Sequence, residues 1–360
     1  MLHYRTEGYN GYAIKYSPFF DNRLACAASA NFGLVGNGRL YILGLTAQGI
    51  VGEKWFDTQD GLFDTAWSEI HENQIGVASG DGSIKLFDIA LNEFPIMQWQ
   101  EHQKEVFSLF WNPIQKDQFA SSSWDGTVKL WTPGSPRSLS TYRTNSCTYS
   151  TSFSPHNPHM LSCVSSDSTL RIFDTRSPSA PAGPAGMMQQ TGTMPSVSIP
   201  VSPMAPAELL THDWNKYRPE TIAVGGVDRV VRVFDIRAPG QPISELRGHN
   251  YAVKKLVWSP HWAGVLSSGG YDMSVRIWDD GVLVDAFGPG HGAGPGGPGT
   301  LGPPKVGKML GVFDRHSEFV AGLDWCLFGG EGWIASAGWD ESVWVWDAKA
   351  VMRGVRVGMR

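Results

Sequence analysis

Residues 101–132, EHQKEVFSLFWNPIQKDQFASSSWDGTVKLWT, carry four landmarks at fixed distances: His102, Trp111, Asp125 and Trp131. The runs VFSLFW, QFASSS and TVKLW are rich in β-branched and aromatic residues and are separated by turn formers. They read as three strands of one small antiparallel sheet. The same landmarks return as His249, Trp258, Asp272 and Trp278, and as His316, Trp325, Asp340 and Trp346. In each copy the His precedes the first Trp by nine residues, and six residues separate the Asp from the second Trp.

Three further copies keep the spacing without the His: Trp67, Asp81 and Phe87; Phe153, Asp167 and Phe173; Trp214, Asp228 and Phe234. In five of the six copies an Asp follows the last aromatic, while Trp131 is followed by Thr132. A degenerate seventh copy opens the chain, with GYAIKYSP (11–18), LACAASA (24–30) and GRLYIL (38–43) as successive strands and no turn Asp. The shorter Asp-to-Asp intervals are 44, 42 and 44 residues, the period of a four-stranded WD-repeat blade. One such sheet cannot bury both of its faces alone, so the copies must pack radially. The expected fold is all-β: one seven-bladed WD40-type β-propeller over residues 1–360.

Two intervals are long, 61 and 68 residues. The Pro/Gly/Ser-rich stretches 177–206 and 288–307 account for them and read as disordered loop insertions. Outer-strand residues are expected to survive within VSIPV (197–201) and KMLGVFD (308–314). Closing the ring requires a last strand for blade seven. LHYRT (2–6) beside VWVWD (343–347) would cover an exposed edge, with VMRGVRV (351–357) as the alternative.

Composition narrows the function. A formal net charge of -5 argues mildly against a nucleic-acid footprint. No apolar run is long enough to span a bilayer, so no direct membrane insertion is expected. The segment MLHYRTEGYNGY has the character of neither a secretory nor a transit peptide. Cys26, Cys147, Cys163 and Cys326 show no metal-ligand spacing and read as free thiols in a reducing compartment. No nucleophile elbow, zincin motif or P-loop is present, and GLVGNG (33–38) lies between strands, where a bulge or turn explains it. His156 and His159 sit in a polar turn without a third ligand. No catalytic residue, metal site or cofactor is expected.

The recurring residues are architectural. Asp81, Asp125, Asp167, Asp228, Asp272 and Asp340 sit in the turn between the second and third strands, where a carboxylate accepts turn amides. In complete copies the Asp also accepts a proton from His102, His249 or His316, with a second-strand Ser and the third-strand Trp extending the network. Binding belongs to the loops that a rigid scaffold gathers on one face. Ahead of the first strands these are Asp60, Gly61, Glu105, Cys147, Glu208, Ala252 and Phe319. Before the turn aspartates they are Gly80, Trp124, Ser166, Val227, Tyr271 and Trp339. Phe63, Asp64, Phe107, Tyr149 and Leu210 lie just inside the first strands. Acids (Asp60, Asp64, Glu105, Glu208, Glu318) beside rim-facing aromatics (Trp124, Tyr271, Trp339) suit a cationic amphipathic helix.

Several blocks resemble the peroxin-7 family: YSPFFDNRLA (16–25), NFGLVGNGRLYIL (31–43), TQDGLFD (58–64), NKYRPE (215–220) and GGVDRVVRVFDIR (225–237), the opening ones through Asp64 lying outside the generic repeat. The resemblance covers nearly the whole chain apart from the two insertions. It implies a receptor that shuttles between the cytosol and the peroxisome and binds cargo through an N-terminal helical type 2 targeting signal, with peroxisomal 3-ketoacyl-CoA thiolase as the usual cargo. It further implies a co-receptor peroxin and a membrane docking complex as partners. By position, Asp60 and Glu105 match acids of that family's signal groove. Asp64, Phe107, Trp124, Tyr149, Tyr271 and Trp339 complete the expected cargo-signal contacts. A second reading rests on FDTR (173–176) and FDIR (234–237), which resemble the docking box of substrate receptors of cullin ubiquitin ligases. The repeat already demands their FD.

Overall fold

The computed structural model describes residues 1–30, 36–91, 94–177, 194–282 and 303–354. Six four-stranded sheets and one five-stranded sheet make seven blades. In each, the first three strands form an antiparallel meander, and the first strand lines the central channel. Blade three has strands Val106–Trp111, Phe119–Ser123, Thr127–Trp131 and Ser140–Arg143, as the landmarks require. Blade one, lacking the turn Asp, still forms Asn10–Tyr16, Arg23–Ala30, Asn37–Thr46 and Gly49–Thr58. Residues 33–35 of GLVGNG lie outside the described residues; Gly38 is within a strand.

The ring closes through the N-terminal strand. Leu2–Arg5 pairs antiparallel with Ser342–Asp347, His3 opposite Trp344, with their rings stacked at 4.1 Å. The alternative segment begins in a helix, Ala348–Met352, whose N-cap Asp347 accepts the Lys349 amide; residues 355–357 lie outside the described residues.

Of the insertions, 178–193 and 283–302 lie outside the described residues. Val197–Pro200 and Lys308–Phe313 supply the outer strands of blades four and six. One difference stands out. Lys305–Val306, within the stretch read as loop, pairs in parallel with Ser244–Arg247 and adds a fifth strand to blade five. A two-residue strand carries no periodicity, so the sequence cannot announce it.

The buried apolar residues form seven clusters among the described residues, and each is shared by adjacent blades. One joins Leu40, Ile42 and Phe56 of blade one to Trp67, Val77 and Phe87 of blade two. Another joins Ile14, Leu24 and Cys26 of blade one to Ala335, Val343 and Val345 of blade seven. All four cysteines are free, and burial pushes the Cys26 and Cys163 thiols up to about 12.

The polar network expected for the complete repeats is present in three blades. In blade three, Trp131 Nε1 donates to Ser121 Oγ (2.8 Å), Ser121 Oγ meets His102 Nε2 (2.7 Å), and His102 Nδ1 meets Asp125 (2.9 Å). With Nδ1 protonated, every donor in this chain points toward the carboxylate. Blades six and seven repeat it through Trp278, Ser268, His249 and Asp272, and through Trp346, Ser336, His316 and Asp340. In the three blades without the His, a cation four residues after the Asp stands in: Lys85 on Asp81, Arg171 on Asp167 and Arg232 on Asp228. That spacing is visible in DGSIK, DSTLR and DRVVR, where the sequence reading did not use it. In all six turns the residue after the Asp is left-handed, from Gly82 (φ 81°) and Gly126 (φ 78°) to Ser168, Arg229, Met273 and Glu341. The carboxylate thus holds a backbone conformation that L-residues resist.

Two expectations follow. Burial alone would raise the Asp272 carboxyl, but its bonds to His249, Ser274 and the Asn250 amide outweigh this and hold it well below the usual range. A carboxyl depressed by folding contributes stability above its unfolded pKa and loses it as the pH falls. Asp272→Asn should cost about 2 kcal/mol at pH 7, with the gap to the parent narrowing below about pH 4, as read by urea unfolding at both pH values. Removing residues 1–6 should lower the melting midpoint by about 5–10 °C. Sedimentation should then show concentration-dependent self-association through the opened edge.

Candidate functional site

The upper face is defined by six repeated backbone bonds. The residue before each turn Asp donates its amide to the carbonyl of a residue leading into the first strand: Gly80 to Gly61, Trp124 to Glu105, Ser166 to Cys147, Val227 to Glu208, Tyr271 to Ala252 and Trp339 to Phe319. The loops grouped by sequence therefore lie side by side.

Every first strand also carries a β-bulge near its start. The register skips Tyr12, Phe63, Phe107, Tyr149, Leu210, Lys254 and Ala321. A bulge inserts one unpaired residue and re-aims its side chain. Repeated seven times, it supplies a ring of side chains at the channel mouth, each four residues before the first-strand landmark.

Most of these positions are aromatic, and with the turn residues they form a continuous arc. Tyr149 meets Trp124 edge-on at 5.9 Å; Trp124 stacks on Phe107 at 4.5 Å, and Phe107 on Phe63 at 4.7 Å. The arc continues through Tyr12 (5.2 Å), Trp339 (5.3 Å), Phe319 (5.3 Å) and Tyr271 (4.5 Å). Such contacts add to burial and stiffen the surface. Trp124, Tyr271 and Trp339 are therefore partly buried members of a packed arc, where the sequence reading had them facing the rim. Tyr12 and Lys254 were missed, although their distance from the landmarks was available. Degeneracy of blade one hid the first, and a lysine in an apolar register hid the second.

Asp60 and Glu105 flank the arc, both partly exposed, and neither has a salt-bridge partner among the described residues. Asp60 Oδ1 accepts the Gly61 amide at 2.7 Å. Its carboxylate occupies space that side chains would otherwise fill, since a Cβ at Gly36 or Gly80 would collide with it. Blade two has Gly80 where blades three, six and seven carry Trp124, Tyr271 and Trp339. Glu208 instead accepts the Tyr149 hydroxyl at 2.9 Å, and burial followed by that carboxylate pushes the phenol up. Glu318 is exposed.

Asp64 requires correction. It is only 4% exposed and lines the channel cavity below the arc. Oδ2 accepts the Leu109 amide of blade three at 3.0 Å, and Oδ1 accepts its neighbour Thr65. Each first strand is a sheet edge whose outward amides need acceptors, and side chains from the preceding blade supply them. Thr211 accepts Leu256, Asp213 accepts Trp258 and Asp324 accepts Tyr16.

Elsewhere, His156 Nε2 lies 3.0 Å from the Asn215 carbonyl. Arg176 and Arg237 of the two FDxR segments fold back on Asp174 and Asp235, each at 2.6 Å, as ordinary strand ends would. Among the described residues no helix is long and apolar enough to cross a membrane.

Comparison with known proteins follows the same lines. The family model for WD domain, G-beta repeat matches residues 93–132, 136–174, 240–279 and 307–347. A Saccharomyces cerevisiae protein is 39% identical, covering 96% of this chain and 99% of its own length. A Dictyostelium discoideum protein is 41% identical (89% and 90%), and a human one 36% (89% and 87%). Each bears the name Peroxisomal targeting signal 2 receptor.

The geometry separates the acids by role. Asp64→Ala should lower unfolding free energy by about 1–3 kcal/mol by orphaning a buried amide, whereas Glu105→Ala should stay within about 0.5 kcal/mol. Chemical denaturation of the two variants tests this.

Proposed function

The chain belongs to the peroxisomal targeting signal 2 receptor family, and we propose that it binds the N-terminal type 2 signal helix of cargo proteins across the aromatic arc. The observation that carries this reading is the pairing of a stiff aromatic surface with two carboxylates that no cation of the described chain neutralises. A short amphipathic helix with an early basic residue has the complementary character: its apolar face lies on the rings, and its cation meets Asp60 and Glu105. Phe107, Trp124, Tyr149, Tyr271 and Trp339 supply the apolar platform.

A helix of a few turns buries little surface on one partner. A co-receptor peroxin closing over the helix would complete the interface and pass the assembly to a peroxisomal docking complex. Peroxisomal 3-ketoacyl-CoA thiolase is the expected cargo, and the receptor would work between the cytosol and the peroxisome. The scaffold acts by binding alone.

Pull-down with a type 2 signal peptide in the presence of co-receptor is the direct test. The parent chain should retain the peptide. Reversing both charges, Asp60→Lys with Glu105→Lys, should weaken capture at least about 100-fold, the loss of two charge-assisted contacts, with the β-sheet circular dichroism spectrum of the folded chain retained. Undiminished capture by the double variant would overturn the groove. No capture by the parent would overturn the receptor reading.

A further inference from the structure

Below the arc, the channel holds a cavity of about 260 Å³ lined by residues from all seven blades. Its charged lining is mostly self-balanced. Lys15 pairs with Asp324 at 3.3 Å and Lys216 with Asp213 at 2.9 Å. The second oxygen of each carboxylate accepts a strand amide. Glu69, also on the lining, faces Lys116 at 3.8 Å. That leaves Lys254 and Lys255 as the ammoniums without a close partner: Asp64, which acts on both, is committed to two amides, and Asp213 and Asp324, which also act on Lys255, are engaged by Lys216 and Lys15.

Those lysines are consecutive, and neighbouring strand residues ordinarily point to opposite faces. The bulge between Val253 and Lys255 breaks that alternation. Lys254 therefore rises to the mouth, its Nζ 5.6 Å from the centre of the Phe107 ring, while Lys255 lines the cavity. Neither has a carboxylate within salt-bridge distance among the described residues. Like charges held together in a confined space are unfavourable without a counter-ion. Burial, then the charge of Lys255, pushes the Lys254 ammonium down to about 8.

We propose that Lys254 and Lys255 form an anion site at the channel mouth, and that its occupant is a carboxylate side chain of the helix docked on the arc. The site sits against Phe107, one of the rings of the platform, so an acidic residue facing down from that helix would reach it while the helix's cation engages Asp60 and Glu105. Opposite charges at the two positions would fix the helix's direction and rotation. This second half rests on the reading of the arc as the signal platform.

The test has two arms on the full chain. In the first, ¹³Cε-lysine spectra are recorded during titration with sodium acetate, with chloride holding ionic strength constant. The resonances of Lys254 and Lys255, assigned from Lys254→Met and Lys255→Met, should shift saturably. Lys254→Arg should preserve the Lys255 shift and Lys254→Met weaken it. In the second, type 2 signal peptides with Glu or Gln at each variable position are compared by anisotropy with co-receptor present. One Glu position should bind about tenfold more tightly than its Gln counterpart, and Lys254→Glu should turn the preference toward Lys there. Absence of both effects overturns the site. Acetate saturation with a flat peptide scan overturns the side-chain occupant and leaves a free-anion site. If no peptide binds in any form, the receptor reading fails, while the acetate titration still decides the anion site.

Discussion

A four-stranded blade has two apolar faces and no interior. Every one of the seven apolar clusters among the described residues straddles a seam between neighbours, so among those residues no blade holds a core of its own. Stability is then a property of the closed ring, and the seam between blades seven and one matters as much as any other. That is why a four-residue strand from the start of the chain covers the edge of Ser342–Asp347. It is also why Gly322 has no side chain: a Cβ there would stand 2.8 Å from the Ile14 amide.

Ring closure leaves one problem inside. The seven first strands face the channel as sheet edges, with amides that no further strand can satisfy. The molecule answers with side chains lent across the seams, Asp64 to Leu109, Asp213 to Trp258 and Asp324 to Tyr16. Near the mouth each strand departs from the ladder through its bulge and turns one side chain onto the upper face. Scaffold and platform thus come from the same strands, a few residues apart. An acid at one step is architecture, and an aromatic at the previous step is surface.

That closeness explains what could be read in advance. The turn aspartates, their histidines and the serine–tryptophan extension follow from spacing alone, because the same contact recurs in every complete copy. Asp60 and Glu105 were found as loop acids outside the repeat, and the fold leaves both without an intramolecular cation. Asp64 was grouped with them because it lies just inside a first strand; only the bulge register shows that it faces the channel. Trp124, Tyr271 and Trp339 were correctly placed ahead of their aspartates, but the contacts of Tyr271 with Phe319 and of Trp339 with Tyr12 join different blades and have no signature in one dimension. The cations that replace the missing histidines, Lys85, Arg171 and Arg232, were legible and passed unnoticed.

By itself the sequence determined the number of blades, the strand order within them and which loops share a face, since each follows from a period and from turn chemistry within some forty residues. Tertiary structure alone decided which side chains meet across seams. It sent Asp64 to a neighbour's amide, joined eight rings from six blades into one arc, paired Lys305–Val306 with blade five, and left Lys254 and Lys255 without a carboxylate at salt-bridge distance among the described residues. Those outcomes depend on closing the ring and on where each bulge breaks the two-residue alternation of a strand, and neither is written in any local stretch of the chain.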